Sequence, residues 1–143
     1  MSGRRSLEEA KVVLDASALI AWVNGERGGH RVEPLLQVAA VSVVNMAEVL
    51  AWETRGLEPD PRAVRERFRA WRAQGLRLAE FTADDAVRTA ELAPLTQPSG
   101  LSLGDRACLA LGMRLRLPVW TVEALWSKLS LPVSVRLVRE RGR

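Results

Sequence analysis

Four acidic residues could do chemistry in this chain, three after predicted strands and one at the start of a predicted helix that should begin near the same edge of the sheet. Asp15 directly follows an apolar run that is typical of a buried strand, and Glu123 comes two residues after another such run ends. Glu48 and Asp105 fall in the first turns of predicted helices. Because the carboxyl ends of parallel strands meet at one edge of an α/β sheet, we expect the four carboxylates to converge at that edge.

The composition narrows the chemistry that these acids could perform. The chain has 143 residues with one histidine, His30, and one cysteine, Cys108. These counts exclude an internal disulfide, a two-histidine ribonuclease and an ordinary His/Cys zinc site. A carboxylate cluster without histidine suits Mg²⁺ or Mn²⁺, because these hard cations take oxygen ligands and keep bound water.

Two of the four acids also have a purely structural interpretation. Asn45-x-x-Glu48 and Ser102-x-x-Asp105 are capping-box spacings, with Asn45 and Ser102 as the predicted N-caps, and the helix dipole favours acids in first turns. Capping and metal binding therefore both remain open for Glu48 and Asp105. Asp15 is different, because a carboxylate that ends a buried strand loses its hydration unless it is paired or meets a cation.

Short apolar runs alternate with helix-compatible segments along the whole chain. The predicted strands are 11–14, 38–44, 76–81, 117–121 and 133–138. The predicted helices are 16–24, 30–37, 46–55, 61–74, 82–93, 102–115 and 122–129. This alternation predicts a three-layer α/β/α fold with a central parallel sheet of about five strands.

Length and composition favour a single globular domain. Hydrophobic residues make up 48% of the chain and charged residues 27%, which is enough apolar surface for one core. We expect the domain to span residues 1–143, with a core from about 11 to 138 and tails at 1–10 and 139–143. No apolar run is long enough for a membrane span or a signal segment, so we expect a cytoplasmic protein.

Three sequence blocks resemble the signature motifs of the PIN domain, as found in VapC-type toxins. They are residues 14–19 (LDASAL), 44–49 (VNMAEV) and 101–111 (LSLGDRACLAL), in the order and spacing typical of that family. The resemblance implies a PIN-like fold from about residue 11 to 138. It also implies that Asp15, Glu48 and Asp105 are the first three acids of a catalytic Mg²⁺ or Mn²⁺ site.

The fourth acid departs from the family pattern. Where PIN domains usually have Thr-x-Asp after the fourth strand, this chain has Thr121-Val122-Glu123, with a side chain longer by one methylene. Either Glu123 reaches the ion through a water molecule, or one metal position is weakened. Ser17 and Thr121 resemble the hydroxyl residues that hydrogen-bond around the acids in the family, and Arg106 follows the third acid as is common there. Ordinary helix capping is the alternative for these three.

The resemblance implies a Mg²⁺- or Mn²⁺-dependent endoribonuclease that acts as the toxin of a type II toxin–antitoxin pair. An ion held by Asp15, Asp105 and Glu123 would activate a water molecule and neutralise charge on a phosphodiester. Glu48 would orient or deprotonate that water, so all four acids would be catalytic. The implied partners are an RNA substrate, a small VapB-like antitoxin and a second copy of the chain.

Arginine-rich segments are candidates for RNA contact. The net charge is +4, and only Lys11 and Lys128 of the 21 basic residues are not arginine. The predicted helix 61–74 places four arginines on one stripe: Arg62, Arg65, Arg69 and Arg72. A second candidate is the tail with Arg136, Arg139, Arg141 and Arg143. A solvated helix face and a frayed chain end are the respective alternatives.

Two other functions remain open from the sequence. One is a catalytically weak PIN-like module that binds RNA or a protein, for which Glu123 would mark a degraded site. The other is an RNA-processing nuclease without an antitoxin. Trp22 and Trp52 follow the first two strands, where VapC-type toxins offer an apolar groove to the antitoxin, although core packing is the simpler explanation for either.

Overall fold

A central sheet of five parallel strands organises the protein. The computed structural model describes residues 6–139. The strands are β1 (Val12–Leu14), β2 (Ala39–Ser42), β3 (Arg77–Ala79), β4 (Val119–Thr121) and β5 (Val135–Leu137). They are all parallel, in the order β3-β2-β1-β4-β5. The predicted α/β fold with a five-stranded parallel sheet is therefore confirmed.

Helices connect successive strands. The α-helices are α1 (Ala16–Val23), α2 (Val43–Glu53), α3 (Pro61–Ala73), α4 (Ala83–Glu91), α5 (Ala93–Thr96) and α6 (Leu103–Leu115). Shorter 3₁₀ segments lie at Leu7–Glu9, Gly29–Arg31, Glu33–Val38, Gln97–Ser99 and Ala124–Lys128. Within residues 6–139, none of the helices combines the length and apolar character that crossing a bilayer requires.

Alternating side chains of the sheet build two hydrophobic cores, one on each face. Val12 and Leu14 of β1 pack with buried residues of α1, α2 and α3. Val13, between them, faces the opposite side and packs with α6 and with Trp126. Since successive side chains of a strand point to opposite faces, this arrangement produces the three-layer α/β/α architecture that the sequence predicts.

The start of α2 differs from the prediction. The helix begins at Val43, and Ser42 is its N-cap, with Oγ accepting a hydrogen bond from the Val44 N–H at 3.2 Å. Asn45 is therefore a buried residue inside the helix, and the capping-box interpretation of Asn45 and Glu48 is wrong. Glu48 lies in the second turn. The apolar run 38–44 suggested a longer strand because a short run cannot distinguish a strand from the start of a buried helix.

Three other segments also differ from their predicted secondary structure. The segment 30–37 forms two 3₁₀ turns, and 122–129 forms only the 3₁₀ segment Ala124–Lys128. The predicted loop 94–100 contains α5 and another 3₁₀ turn, each with a proline near its start. Proline is compatible with the first turn of a helix because the N–H that it lacks has no partner there.

Candidate active site

The candidate site lies where the chain changes direction across the sheet. After β1 the chain builds β2 and β3 on one side, and later adds β4 and β5 on the other, so the direction switches between β1 and β4. Ligand sites of open α/β sheets occur at the carboxyl ends of the strands at such a switch point. Asp15 follows β1 there, and its backbone N–H donates to the Trp120 carbonyl of β4 at 3.2 Å.

One cavity at this edge brings together all four acids singled out in the sequence. It has a volume of about 500 Å³, and Asp15, Glu48, Asp105 and Glu123 line it. The remaining wall combines Ser17 and segment 99–101 with apolar side chains. These apolar residues are Ala16, Ile20, Trp52, Leu125 and Trp126. None of the described residues that line the cavity is a lysine, arginine or histidine.

Asp15 is the most buried of the four acids and has several hydrogen-bond donors. It is the N-cap of α1, with Oδ1 accepting from the Ala18 N–H at 2.8 Å. The Ser17 hydroxyl lies 2.7 Å from Oδ1 and 2.9 Å from Oδ2. Ser17 Oγ in turn lies 3.2 Å from Thr121 Oγ1 and accepts from the Val122 N–H at 3.1 Å. The two hydroxyl residues therefore connect the ends of β1 and β4 around this carboxylate.

Burial dominates the protonation of Asp15. Desolvation raises its pKa from 3.8 to about 7, despite the lowering effect of hydrogen bonds from Thr121, Ala18 and Ser17. The negative charge of Asp105 also contributes to this increase. Without a cation, the protonated and ionised forms are therefore present in similar amounts near pH 7. A divalent cation in the cavity would favour the ionised carboxylate.

The same cluster of negative charges affects the pKa of the buried Cys108 thiol. Burial raises the pKa of the Cys108 thiol well above its usual value, and the charges of Asp15, Asp105 and Glu48 raise it further. Three of the four carboxylates therefore lie near enough to act together on one buried group. Cys108 itself packs within the core, as the sequence predicts.

Glu48 reaches the cavity from α2 and lies against the start of α6. Its Oε1 accepts a hydrogen bond from Asn45 Nδ2 at 2.9 Å. A Cβ atom at Gly104 would overlap the Glu48 carboxylate, so the absence of a side chain at Gly104 makes room for it. The roles of Asn45 and Gly104 were missed in the sequence analysis. A polar residue inside the apolar helix α2 is the signal that could have identified Asn45.

Asp105 both caps α6 and lines the cavity. Its Oδ2 accepts from the Ser102 N–H at 2.9 Å, and its own N–H donates to Ser102 Oγ at 3.2 Å. The predicted capping box at the start of α6 is thus confirmed. The same carboxylate lines the cavity, so capping holds Asp105 at the site rather than competing with a role there.

Glu123 is the most loosely held of the four acids. It is exposed, and its side chain makes no capping hydrogen bond to the 3₁₀ segment that it precedes. Its backbone N–H donates to Thr121 Oγ1 at 3.1 Å, which fixes the main chain but leaves the side chain free to turn. Thr121 therefore contributes to the site by orienting both the Asp15 and the Glu123 segments.

The donor set fits a hard divalent cation. Within residues 6–139, no three Asp, Glu, His or Cys side chains lie close enough together to hold a metal ion as they stand. Mg²⁺ commonly keeps several water molecules and takes only one or two protein carboxylates directly. Four carboxylates around a cavity without a cationic side chain, one of them buried with a pKa of about 7, match such an ion in chemistry.

The predicted arginines lie elsewhere. Arg106 does not line the cavity, and its Nη1 donates to the Thr89 carbonyl of α4 at 3.4 Å. None of the four α3 arginines lines the cavity either. Arg62 pairs with Asp60 at 3.4 Å, and the Arg72 guanidinium lies 5.6 Å from the Phe68 ring centroid. Arg65 and Arg69 are exposed, and Arg141 and Arg143 lie outside the described residues.

The two tryptophans proposed for an antitoxin groove have different surroundings. Trp22 packs against Trp71, with 5.6 Å between ring centroids, and belongs to the core face of α1. Trp52 lines the cavity, and the Arg55 guanidinium lies over its ring at 4.0 Å. Core packing therefore accounts for Trp22, whereas Trp52 belongs to the wall of the site.

Comparisons with known proteins place this geometry in a family. The PIN domain model matches residues 12–128, whereas no curated protein matches the chain. Among solved structures, a chain of a toxin-antitoxin complex from Klebsiella pneumoniae has 21% identity, a TM-score of 0.69 and coverage of 91% of this chain and 99% of that one.

Two further structures have the same fold. A chain of DNA-bound VapBC from Salmonella typhimurium has 13% identity and a TM-score of 0.68, covering 91% of this chain and 99% of its own. A chain of VapBC-5 from Mycobacterium tuberculosis has 22% identity and a TM-score of 0.57, covering 92% and 99% respectively. With the family model matching most of its length, this chain belongs to the PIN domain family.

Proposed function

We propose that this protein is a Mg²⁺- or Mn²⁺-dependent endoribonuclease and the toxin of a type II toxin–antitoxin pair. The observation that carries the proposal is the cavity at the switch point of the sheet, lined by four carboxylates and by no cationic side chain. Membership in the PIN domain family supports a nuclease.

The similar structures support the proposed biological role. The chains from Klebsiella pneumoniae and Mycobacterium tuberculosis belong to toxin–antitoxin systems. The alignment with this protein covers 99% of each of those chains. By analogy, the partner is a small VapB-like antitoxin that covers the acidic cavity and keeps the enzyme inactive. We also propose a homodimer and a cytoplasmic location.

The four acids have different tasks in this proposal. Asp15, Asp105 and Glu123 would hold the ion, which when bound supplies Lewis acidity and a water molecule of lowered pKa. Ser17 and Thr121 hold the Asp15 carboxylate in place through their hydroxyl groups. Glu48 also lines the cavity and would orient or deprotonate the attacking water. Trp52 and Leu125 line the same cavity and would reduce the access of bulk water to a bound phosphodiester.

The test is cleavage of total RNA by the purified protein, freed of any partner. Cleavage should require Mg²⁺ or Mn²⁺ and stop with a chelator. Asp15→Asn and Asp105→Asn should each lower the rate at least about 100-fold, because each removes a charge that stabilises the transition state. Asp84→Asn is the matched control, since Asp84 is an exposed acid of α4 that does not line the cavity.

Two results would contradict the nuclease proposal. One is equal cleavage by the wild type and both cavity variants, which would indicate a contaminating nuclease. The other is cleavage of single-stranded DNA of the same sequence in preference to RNA, which would leave the metal site but change the substrate. Mapping the fragment ends would then show which bond is broken.

A catalytically weak binding module is the second candidate, favoured by the exposed and loosely held Glu123. The two candidates differ in their response to Glu123→Asp. If Glu123 already serves the ion, restoring the usual shorter acid should change the cleavage rate less than about threefold, well below 1 kcal/mol in barrier height. A rise of tenfold or more would instead show that the longer side chain impairs the site.

A further inference from the structure

Asn45 is a buried polar residue that none of the proposed chemical steps uses. It lies in α2, one turn before Glu48, and only 1% of it is exposed. Its Nδ2 donates to Glu48 Oε1 at 2.9 Å and to the Gly104 carbonyl of α6 at 3.0 Å. One amide group thus connects a cavity acid of α2 with the residue that precedes Asp105.

The hydrogen-bond partners fix the orientation of this amide. A carboxylate and a carbonyl oxygen can only accept, so the nitrogen of the amide must face them, and both of its hydrogens are used. The oxygen Oδ1 is buried and has no partner among the described residues. For packing alone an apolar side chain of similar size would suit this place better, since a buried amide with an unpaired oxygen carries a desolvation cost.

The two hydrogen bonds act where the cavity acids need to be held in place. Glu48 is exposed, and a free glutamate on a helix surface samples several rotamers. It also lines the same cavity as the Asp105 carboxylate, and the two negative charges repel each other. The donor from Asn45 compensates part of this repulsion, and Gly104 leaves the space that the carboxylate occupies.

We propose that Asn45 is a positioning residue that sets the distance between Glu48 and Asp105 through its bonds to Glu48 Oε1 and the Gly104 carbonyl. This inference rests on the proposed function only for its effect on rate. The hydrogen bonds by which Asn45 connects α2 and α6 are independent of whether the protein cleaves RNA.

The kinetic arm is a double-mutant cycle. Asn45→Leu keeps the volume but removes the donors, and should lower kcat about 10- to 100-fold with little change in KM. In a Glu48→Ala background the same substitution should have a clearly smaller effect, because the bond to Glu48 is already gone and only the bond to the Gly104 carbonyl remains to be lost. Thr54→Val is the control, since it removes a hydrogen bond to the Leu50 carbonyl at the far end of α2.

The structural arm needs no activity. In the ¹⁵N spectrum of the metal-free protein, the Asn45 side-chain amide is identified by its loss in Asn45→Leu. Its two protons should exchange slowly with water, and their shifts should move in Glu48→Ala but not in Thr54→Val. A crystal structure of Asn45→Leu should show the Glu48 carboxylate displaced from Gly104.

The two arms separate failure of this inference from failure of the proposed function. An amide that exchanges rapidly or ignores Glu48→Ala would overturn the inference, as would an undiminished effect of Asn45→Leu in the Glu48→Ala background. If the wild type cleaves no RNA, the proposed function fails, and the spectrum and crystal structure alone decide the role of Asn45.

Discussion

At the scale of single residues, Asp15 shows burial and hydrogen bonding acting in opposite directions. Hydroxyl and amide donors around it favour the carboxylate, but the loss of hydration is larger and raises the pKa to about 7. When Asp15 ionises in this buried position, the free energy of unfolding falls because the charge has lost its hydration. Such a cost is typical of sites where a ligand supplies the missing charge.

This balance predicts how stability changes with pH. Because the pKa of Asp15 is about 7 when folded and close to 3.8 when unfolded, the folded state binds the proton more tightly. The stability that this proton contributes is complete below about pH 4 and is lost as the pH rises through 7. In chelator at pH 8, Asp15→Asn should therefore be more stable than the wild type, by a few kcal/mol at most.

Denaturant unfolding at pH 4 and pH 8 checks this prediction. The gain from Asp15→Asn should be nearly absent at pH 4, and Asp84→Asn should show no gain at either pH. Adding Mg²⁺ at pH 8 should raise the stability of the wild type more than that of Asp15→Asn. An Asp15→Asn protein that is less stable than the wild type at pH 8 would show that burial does not dominate.

At the scale of elements, the packing of α2 against α6 decides where the acids lie. Gly104 is the contact point, because a Cβ atom there would overlap the Glu48 carboxylate. Alanine is intrinsically about 1 kcal/mol better than glycine inside a helix. In Gly104→Ala, the overlap with Glu48 should lower the free energy of unfolding, whereas the helix propensity of alanine should raise it. Activity should respond only to the overlap.

We expect Gly104→Ala to lower RNA cleavage at least about tenfold, while the melting temperature changes by only a few degrees. Displacement of Glu48 from the cavity is the cause. Leu103→Ala is the neighbouring control, because Leu103 is 61% exposed. Full activity in Gly104→Ala would mean that Glu48 does not act from the position described above.

The two capping boxes offer a matched pair of stability tests. Ser102 caps α6 with Asp105, and Thr82 caps α4 with Asp85 in the same reciprocal geometry. Ser102→Ala and Thr82→Ala should each cost about 1 kcal/mol of unfolding free energy. Only Ser102→Ala should also slow RNA cleavage, because only its helix carries a cavity acid; equal slowing by both would assign the effect to stability.

The sequence patterns predicted the helices of this region, but not which residues of different helices contact each other. The capping residue Ser102 was identified because its partner Asp105 lies three residues away. The bond from Asn45 to Gly104 spans 59 residues and has no local signature. Residues 43 and 44 were assigned to a strand because valine favours strands, whereas the Ser42 cap starts a helix there.

At the scale of the whole molecule, positive charge and acidic cavity are separated. The net charge is +4, yet no described arginine or lysine lines the cavity. Arg65 and Arg69 are exposed on α3, which packs against α2. Basic groups away from the reacting atoms can raise affinity for a polyanion without taking part in catalysis.

Charge reversal on α3 tests this division. In the inactive Asp105→Asn background, Arg65→Glu with Arg69→Glu should weaken RNA binding and reduce the slope of log affinity against log salt by about one to two. In the active protein, the kcat for a dinucleotide should not change. Arg116→Glu, at the far end of α6, is the control. An unchanged salt slope would identify the α3 stripe as a solvated surface.

The alternation of strands and helices was sufficient to predict the sheet and to place acids at its carboxyl edge. Strand order and the distances between side chains depend on packing across the sheet, so no local pattern contains them. Glu123 illustrates the limit, since its position after β4 was predictable but its exposure was not. Arg106 illustrates another, because a helix turns it toward Thr89 rather than toward the acids.

We propose that the four cavity carboxylates form a divalent metal centre. Calorimetric titration of Mn²⁺ into the partner-free protein at pH 7.5 tests this proposal without relying on activity. The wild type and Asp84→Asn should bind with the same affinity, whereas Asp15→Asn should bind at least about tenfold more weakly. Equal binding by all three proteins, or no binding by any, would contradict the claim.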